Sequence, residues 1–438
     1  MLNNVRTRAP KALALMSVAA LLLAGCSSGA TGAGGSSQLG VDAVPADKTT
    51  ITAWSFLPGN YDDGAAAYNE VISAFEKKYP QITVKLVDMP YPTYFDQVRN
   101  ATVSRKGPDV VTMYGGAQAY SYKNGLFPLQ DAMDPEIKAK LKFQTENYSS
   151  DGNLYILPTG TYGYSMLVNQ SKFSQAGVDP AAGLKDWASL LTTCRTLAAK
   201  GIQPIASGWK DGYLFETFMY MISSQMMDTA TLKDWVAGKV PIDNPLFKTA
   251  AQHIVDMNNA NCFGGKSALG RSMYDDAFNQ YNANQAAMVP TGSLSTAAKA
   301  AGLVPSTIVM ALPQVPESHF TSMIDAGAEA GWAVTKWTKS PQAARAFVNY
   351  LASPEAQNIL WQKVGVPPNL ANDVVEPKSD VQKTYLPLIE NKENQSGFPA
   401  FPLPVLSSFE QNAAPLMGGT MTVDAFITQA QSAFAKSK

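Results

Sequence analysis

Residues 50–113 read TITAWSFLPGNYDDGAAAYNEVISAFEKKYPQITVKLVDMPYPTYFDQVRNATVSRKGPDVVTM. Three short runs rich in β-branched and aromatic residues, at 50–56, 82–86 and 109–113, are predicted strands. Two segments between them repeat their apolar residues at helical spacing, and a proline or a Gly-Pro pair ends each one. This β-α-β-α-β order predicts a mostly parallel sheet with helices on both faces, which is an α/β fold.

The start of the chain is typical of an exported protein. Three basic residues lie within the first eleven, and an apolar run follows at 12–25. That run is shorter than the roughly 20 residues that a transmembrane helix needs, so it fits a secretory signal peptide. It ends in LAGC, which closes at Cys26 and resembles the bacterial lipobox, the signal in which the cysteine receives a lipid.

This reading divides the first part of the chain into two pieces. We expect residues 1–25 to be a lipoprotein signal peptide, and residues 26–47 to be the lipidated Cys26 followed by a flexible tether rich in Gly, Ser, Ala and Thr. The mature protein would then sit on the extracytoplasmic face of a bacterial cell membrane. The alternative is an ordinary signal peptide with a cysteine at that position by chance.

Composition narrows the function of the remaining chain. The net charge is −1 and no long basic run occurs, so nucleic acid is not an expected partner. No later segment has 18 consecutive apolar residues, so the lipid is the only membrane attachment that we expect. His253 and His319 are far apart and lack ligand-spaced neighbours, so neither a metal nor a cofactor is expected. About 390 residues remain after the leader and tether, which suggests two lobes rather than one core.

Cys194 and Cys262 are the two thiols left once Cys26 is lipidated. An exported protein meets an oxidising environment, and two thiols allow a single intramolecular pairing. We favour a disulfide between them. Two buried free thiols are the alternative, because Cys194 falls on the apolar stripe of a predicted helix.

Six segments, in the same order, resemble the extracellular solute-binding proteins of carbohydrate ABC importers, the family that contains maltose-binding protein. Each segment alone is weak evidence, but together they span some 350 residues. They are FEKKYPQITV at 75–84, KGPDVV at 106–111, NGLFPL at 124–129, DGNLYILP at 151–158, AAM at 286–288, and 340–357, which ends in ASPEAQ.

The resemblance implies a two-lobed periplasmic-binding-protein-like fold of type II, with a ligand cleft between the lobes and three hinge crossings. By position, the first lobe would hold residues 48–158 and 311–362, and the second lobe residues 159–310 and 363–438. It also implies a monomer that has no enzymatic activity and passes its ligand to ABC permease subunits in the membrane.

A carbohydrate site combines flat aromatic rings with a few oriented polar groups. Ligands in open α/β sheets bind beyond the carboxyl ends of strands, and the resemblance adds two loops that contact ligand in relatives. Trp209 and Tyr114 are the leading candidates, because each sits in a loop next to glycine. The predicted ligand-binding residues are Trp54, Ser55, Phe56, Tyr114, Gly115, Tyr162, Trp209, Asp211, Gly292, Ser293, Asp325, Gly327, Glu329 and Trp332. At 294 this chain has leucine where relatives carry a stacking tryptophan.

The function that follows is capture of a mono- or oligosaccharide for import. Two alternatives remain open at this stage. A secreted carbohydrate-active enzyme would use paired carboxylates, which sequence alone does not reveal. A binding protein for a non-sugar solute such as a polyamine would box carboxylates with aromatic rings, and Asp325 and Glu329 keep that alternative open.

Overall fold

A computed structural model describes residues 39–40, 43–44, 46–61, 63–142, 148–294, 297, 302–370 and 376–437. All of the description below concerns the unit 38–438. The predicted signal peptide, Cys26 and most of the tether lie outside the described residues. No helix in the described part is long and apolar enough to cross a membrane.

Within the described residues, ten strands form two sheets of five, and the first sheet contains the stretch quoted above. Its order is β2-β1-β3-β10-β4. The three predicted strands pair in parallel, and β10 runs antiparallel to both β3 and β4. The strand bounds are β1 Thr49–Ser55, β2 Ile82–Asp88, β3 Val110–Met113, β4 Leu157–Pro158 and β10 Gly331–Val334.

The second sheet is mainly antiparallel, so the expectation of a mostly parallel sheet holds only for the first three strands. Its order is β6-β7-β5-β8, with β9 paired to the first half of β5. The long strand β5 enters from the first lobe and runs against β7, β8 and β9, whereas β6 and β7 are parallel. The bounds are β5 Thr161–Asn169, β6 Gln203–Ile205, β7 Ala286–Thr291, β8 Thr307–Met310 and β9 Asp325–Ala328.

Helices flank both sheets, and some begin with a capping side chain. The Ser353 side chain caps its helix, and a proline follows at the first helical position. The helices of the described residues are α1 Leu57–Asn60, α2 Gly64–Lys78, α3 Tyr91–Ser104, α4 Gly116–Tyr120, α5 Pro135–Lys140, α6 Gln170–Ala176, α7 Pro180–Gly183, α8 Trp187–Ala199, α9 Tyr213–Gln225, α10 Thr229–Val236, α11 Pro245–Asn259, α12 Phe278–Asn282, α13 Pro341–Leu351, α14 Pro354–Val364, α15 Asp380–Ile389, α16 Leu403–Met417 and α17 Val423–Lys436. A π-helical turn covers Met273–Ala277, and 3-10 turns cover Lys123–Gly125, Gly265–Ala268 and Phe398–Ala400.

Each sheet has its own hydrophobic core, which gives the two lobes that the sequence predicts. The first crossing lies between β4 and β5. The expected boundary at 311 is too early, because Val315 and Ile324 pack in the second core and the crossing falls between β9 and β10. The boundary at 362 is also too early, since Leu370 still packs in the first core. The short strand β9 keeps its segment on the second sheet by pairing with β5.

A disulfide joins Cys194 on α8 to Cys262, just beyond α11, with their Cα atoms 4.8 Å apart. Both cysteines are fully buried in the second core. The backbone N–H of Ile205 on β6 donates to the carbonyl of Cys262, so the bond ties two helices to the edge of the second sheet.

A buried carboxyl group secures the region where the lobes meet. Asp325, at the start of β9, is wholly buried and accepts hydrogen bonds from the Ser224 hydroxyl, from the backbone N–H of Gly397 at 3.2 Å and from the Tyr162 hydroxyl at 3.4 Å. Three segments distant in sequence therefore converge on one side chain. Burial raises the pKa of Asp325 to about 7, although the hydrogen bonds oppose this shift.

Replacing both cysteines by serine should destabilise the second lobe. The bond closes a loop with a sequence separation of 68 residues, and loss of such a closure costs about 4 kcal/mol on the chain-entropy model. Urea unfolding of C194S/C262S, compared with the oxidised wild type, measures the change. Equal unfolding free energies for the two proteins would show that the disulfide contributes nothing.

Asp325 should make stability depend on pH. Its pKa is higher in the folded state than the ordinary value, so the folded protein holds a proton that the unfolded chain releases. The unfolding free energy should therefore fall as pH rises from about 4 to about 7. In Asp325→Asn this slope should weaken by up to about 1.4 kcal/mol per pH unit. Urea titrations across this range test it, with the exposed Asp243→Asn as control, and an unchanged slope would contradict the assignment.

Candidate functional site

The cleft lies where strands of both sheets end. Strands β1 and β3 of the first lobe lead into Phe56 and Tyr114, and β7 of the second lobe leads into Gly292. The turn at Phe398–Ala400 lies between the lobes at this edge. The Phe398 ring contacts Tyr114 of the first lobe at 5.7 Å and Tyr162 of the second at 5.5 Å.

Gly116 is what allows this turn to approach the first lobe. It has a φ of 59°, and a Cβ at this position would lie 2.4 Å from the carbonyl oxygen of Pro399. Any other residue would be strained there and would push the turn away. The two lobes are therefore joined at the base of the cleft by close backbone packing.

An aromatic cluster forms the first-lobe wall. Phe56 is almost fully buried and its ring contacts those of Tyr91, Tyr94, Phe95 and Tyr114 at 5.0 to 5.8 Å. Tyr91, at the first position of α3, leaves 43% of its surface exposed, and Tyr114 is half-buried. The cluster thus holds two tyrosines against a buried phenylalanine, with part of each ring accessible.

The second-lobe wall is built by Tyr213 and Tyr274, whose rings lie 4.8 Å apart. Tyr213 begins α9, and Tyr274 lies in the π-helical turn with 38% of its surface exposed. Asp211 fixes this turn, because its carboxylate accepts hydrogen bonds from the backbone N–H groups of Met273 at 2.7 Å and Tyr274 at 3.4 Å.

The two walls are within electrostatic range of each other. Burial raises the pKa of Tyr91, and the second-lobe residues Glu216 and Glu410 raise it further. The pKa of Tyr274 is also raised, and Tyr91 of the first lobe contributes to that shift. Tyr91 and Tyr274 each keep more than a third of their surface exposed, yet groups of the opposite lobe contribute to their raised pKa values. Their exposed sides therefore face a narrow space. We name the region bounded by Tyr91, Tyr114, Tyr213 and Tyr274 the tyrosine end of the cleft.

Glu329 lies at the crossing between β9 and β10. It is half-buried, and burial raises the pKa of its carboxyl to about 7. Its charge contributes to the raised pKa values of Tyr61 and Tyr68 in the first lobe and of Tyr213 in the second. Glu329 is thus the acid shared by both ends of the cleft.

A cavity of about 520 Å³ lies beyond Tyr61 and is the second region of the cleft, which we name the cavity end. Its volume is in the range of small-molecule sites. Both lobes contribute to its lining, which includes Tyr61, Asp63, Leu294, Leu303, Trp361, Lys363, Lys378, Ser379 and Gln382.

Some predicted residues line or support the cleft. Tyr114 and Glu329 have accessible surface there, and Phe56 lies directly beneath the tyrosines. Asp211 holds Tyr274 in place as described, so its role is to position a cleft residue. Gly292 is buried against the Tyr164 ring, and the half-buried Ser293 follows it at the end of β7.

Trp209, in the loop before α9, and Trp332, in β10, are buried, so neither ring is exposed for stacking on a ligand. Trp209 is 1% exposed and packs edge-on against Phe263 at 4.9 Å in the second core. Trp332 is fully buried between Tyr68 and Phe347 of the first core. The loop position of Trp209 and the strand position of Trp332 did not indicate that both indoles point into the cores.

Other predicted residues are structural. Ser55 is fully buried and its hydroxyl accepts hydrogen bonds from Thr112 at 2.8 Å and from the N–H of Leu57 at 3.0 Å. The Trp54 indole lies near Gly107 on the other face of β1. Asp325 and its partner Tyr162 belong to the buried network between the lobes, and Gly327 packs against the Tyr162 ring. Gly115 is the residue before α4 and is buried.

The cleft contains residues that the sequence analysis missed. They are Tyr61, Tyr91, Tyr213, Glu216, Tyr274, Phe398 and Glu410. One signal was available, because Glu216 is the single charged residue in the apolar helix Tyr213–Gln225, and such a residue is rarely buried without a reason. Tyr91 between two prolines was a second signal.

Similarity to known proteins agrees with this architecture. A family model described as bacterial extracellular solute-binding protein matches residues 59–358. An uncharacterised ABC transporter extracellular-binding protein of Pyrococcus horikoshii is 20% identical over 341 residues, which cover 75% of this chain and 74% of that protein. An arabinooligosaccharide-binding protein of Bacillus subtilis is 27% identical over 253 residues, covering 56% and 53% of the two chains.

Solved structures share the fold. A chitin oligosaccharide binding protein superposes with a TM-score of 0.75 over 89% of this chain and 99% of its own, at 19% sequence identity. The two sheets, the separate cores and the cleft between them are therefore those of a two-lobed binding protein. With the family model covering most of its length, this chain belongs to the bacterial extracellular solute-binding proteins.

Proposed function

We propose that this protein captures a mono- or oligosaccharide between its lobes and delivers it to the permease of an ABC importer. The observation that carries the proposal is the pair Tyr91 and Tyr274. They are two of the four large apolar side chains that are markedly exposed among the described residues, and they come from opposite lobes. Exposed aromatic faces stack on the C–H faces of sugars, and hydroxyl groups at the same positions bond sugar hydroxyls.

The comparisons support a carbohydrate over other solutes. The Bacillus subtilis relative is named for arabinooligosaccharides, and the structural neighbour for chitin oligosaccharides. The cavity end adds volume beyond one sugar ring, so the cleft suits a chain of two or more units. The protein acts as a monomer and breaks no bond in its ligand. Closure is a hinge motion that ligand contacts with both lobes favour.

The cellular location of the protein is part of the same proposal. Membership of the extracellular family places it outside the cytoplasm. The lipobox-like sequence ending at Cys26 supports a lipid anchor that keeps the receptor near its permease while the cleft samples the outside. A permease receives the loaded, closed form.

A thermal-shift and calorimetric screen tests the function. A sugar at 100 times its dissociation constant should stabilise the protein by about 2.7 kcal/mol. The panel holds mono-, di- and trisaccharides of arabinose, xylose, glucose and N-acetylglucosamine, together with peptides and phosphate esters. Stabilisation by peptides or phosphates without any response to sugars would overturn the proposal.

Tyr91→Ala and Tyr274→Ala should each weaken the best sugar about 10-fold or more, because a stacking partner is lost from one wall. The matched control is Val103→Ala, which removes an exposed apolar side chain from α3, the helix that carries Tyr91. Calorimetry should give the control the wild-type affinity. If both tyrosine variants also bind as the wild type does, the sugar does not occupy the tyrosine end.

Cys26→Ala should release the protein from the membrane, because the thiol that accepts the lipid is gone. Cells expressing the wild type should retain the protein in the membrane fraction and in the detergent phase of a detergent partition. The variant should appear in the soluble fraction. Retention of the variant in the detergent phase would show that another feature anchors the chain.

A further inference from the structure

Three carboxyl groups of the second lobe lie within electrostatic range of one another near the tyrosine end. Asp211 and Glu216 flank the start of α9, and Glu410 comes from α16. Gly212 brings the two helices together, because it has a φ of 69° and a Cβ there would lie 2.3 Å from the Cα of Glu410. The backbone at Gly212 therefore fixes Glu410 beside the first turn of α9. We call Asp211, Glu216 and Glu410 the acidic group.

Glu216 is the most buried member of this group, at 9% exposed, and like Asp211 it has one buried oxygen without a hydrogen-bond partner. Its Oε2 accepts a hydrogen bond from the Tyr220 hydroxyl at 3.1 Å, whereas its Oε1 is buried without a hydrogen-bond partner among the described residues. A buried carboxylate oxygen with no partner costs free energy. Glu216 lies one turn after Tyr213 on the same face of α9, and its charge contributes to the raised pKa values of Tyr91, Tyr213 and Tyr274, which burial raises most.

No basic residue in the described part of the chain forms an ion pair with the acidic group. The two basic residues of the adjoining loops do not fill this role. The Arg271 guanidinium donates to Ser267 and Gln280, and the Lys210 side chain is exposed. The groups facing Glu216 are thus the carboxyls of Asp211 and Glu410 and the hydroxyls of Tyr91, Tyr213, Tyr220 and Tyr274.

This combination matches one ligand chemistry. Carboxylates attract a cation and bond its N–H groups, and the faces of tyrosine rings attract it further. A neutral sugar leaves the mutual repulsion of the acids in place and offers Glu216 only a hydroxyl. A metal ion does not fit, because no cluster of three metal-ligating side chains occurs among the described residues.

We propose that the tyrosine end binds a saccharide that carries a protonated amine, with the ammonium group held by Glu216 and Glu410 beside Tyr91 and Tyr274. The inference rests on the proposed function and names its substrate class as amino sugars. Glu216 is the specificity-determining residue, since its unpartnered Oε1 gains a donor only when the amine is present.

Binding of such a ligand should move a proton. Burial raises the pKa of the Glu216 carboxyl well above its ordinary range, and the charges of Glu410 and Asp211 add to the shift. An ammonium group beside the carboxyl favours the charged form and lowers this pKa. Amino-sugar binding should therefore release protons in the pH range where this carboxyl titrates, and binding of a neutral sugar should release none.

The test compares glucosamine disaccharide with its N-acetylated counterpart, which has the same rings and no charge. Calorimetry at pH 7 in two buffers of different ionisation enthalpy gives both the affinity and the protons released. The amino form should bind at least 10-fold more tightly. Glu216→Gln should weaken the amino form by about 10- to 100-fold, as expected for a lost charge-assisted hydrogen bond, and should weaken the N-acetyl form much less.

Glu410→Gln, at an exposed position of α16, gives a second variant should Glu216→Gln fail to fold, and it should reduce the same preference. Glu136→Gln on α5 of the first lobe is the matched control and should change neither affinity. Equal affinities for the two sugars, or equal losses in Glu216→Gln, would overturn the inference and leave carbohydrate binding intact. Binding of spermidine with no response to any saccharide, or no binding at all, would overturn the proposed function and the inference together.

Discussion

The two hydrophobic cores cannot merge, because the chain passes between them three times and each passage carries polar backbone groups that need partners. Asp325 meets this need at one point. Its carboxyl accepts hydrogen bonds from Ser224 of α9, from Tyr162 of β5 and from the N–H of Gly397, which precedes the turn at Phe398–Ala400. A desolvated acid is a costly choice for such a junction. It nevertheless binds three donors from distant segments in one place, which an apolar residue could not do.

The same junction sets the geometry of the cleft. Because Gly397 is fixed to Asp325, the next residue, Phe398, is held between Tyr114 of the first lobe and Tyr164 and Tyr220 of the second. Helix α9 extends this arrangement outward, since Tyr213, Glu216, Tyr220 and Ser224 lie on one face at helical spacing. One helix face thus runs from the hinge anchor to the wall of the cleft. Glu216 is therefore only two helical turns from Ser224, which donates to Asp325 beside the crossing.

The sequence predicts the first three strands of the first lobe well, because they follow one another closely along the chain. The predicted strand at 50–56 differs from β1 by a single residue at each end, and the fold class is confirmed. The lobe boundary at 311 is wrong because β9 and β10 have four residues each, and only pairing with distant strands assigns them to different sheets. Trp209 shows the same limit for side chains. Glycines on both sides predict an exposed loop, but Phe263, more than fifty residues later, provides the core in which the indole packs.

The residues that sequence patterns missed are those that break local rules. Glu216 interrupts an apolar helix, leaves one oxygen unpartnered and lies near two further acids. Tyr91 and Tyr274 leave apolar ring surface exposed to solvent, so the protein lacks the stabilisation that burying these rings would give. Each feature reduces the stability of the empty protein, and together they lie in one region between the lobes. A protein that must bind and release its ligand needs part of its favourable contacts to form only in the closed, loaded state. The unpartnered oxygen of Glu216 and the exposed rings of Tyr91 and Tyr274 supply that difference, because closing on the right ligand covers them at once.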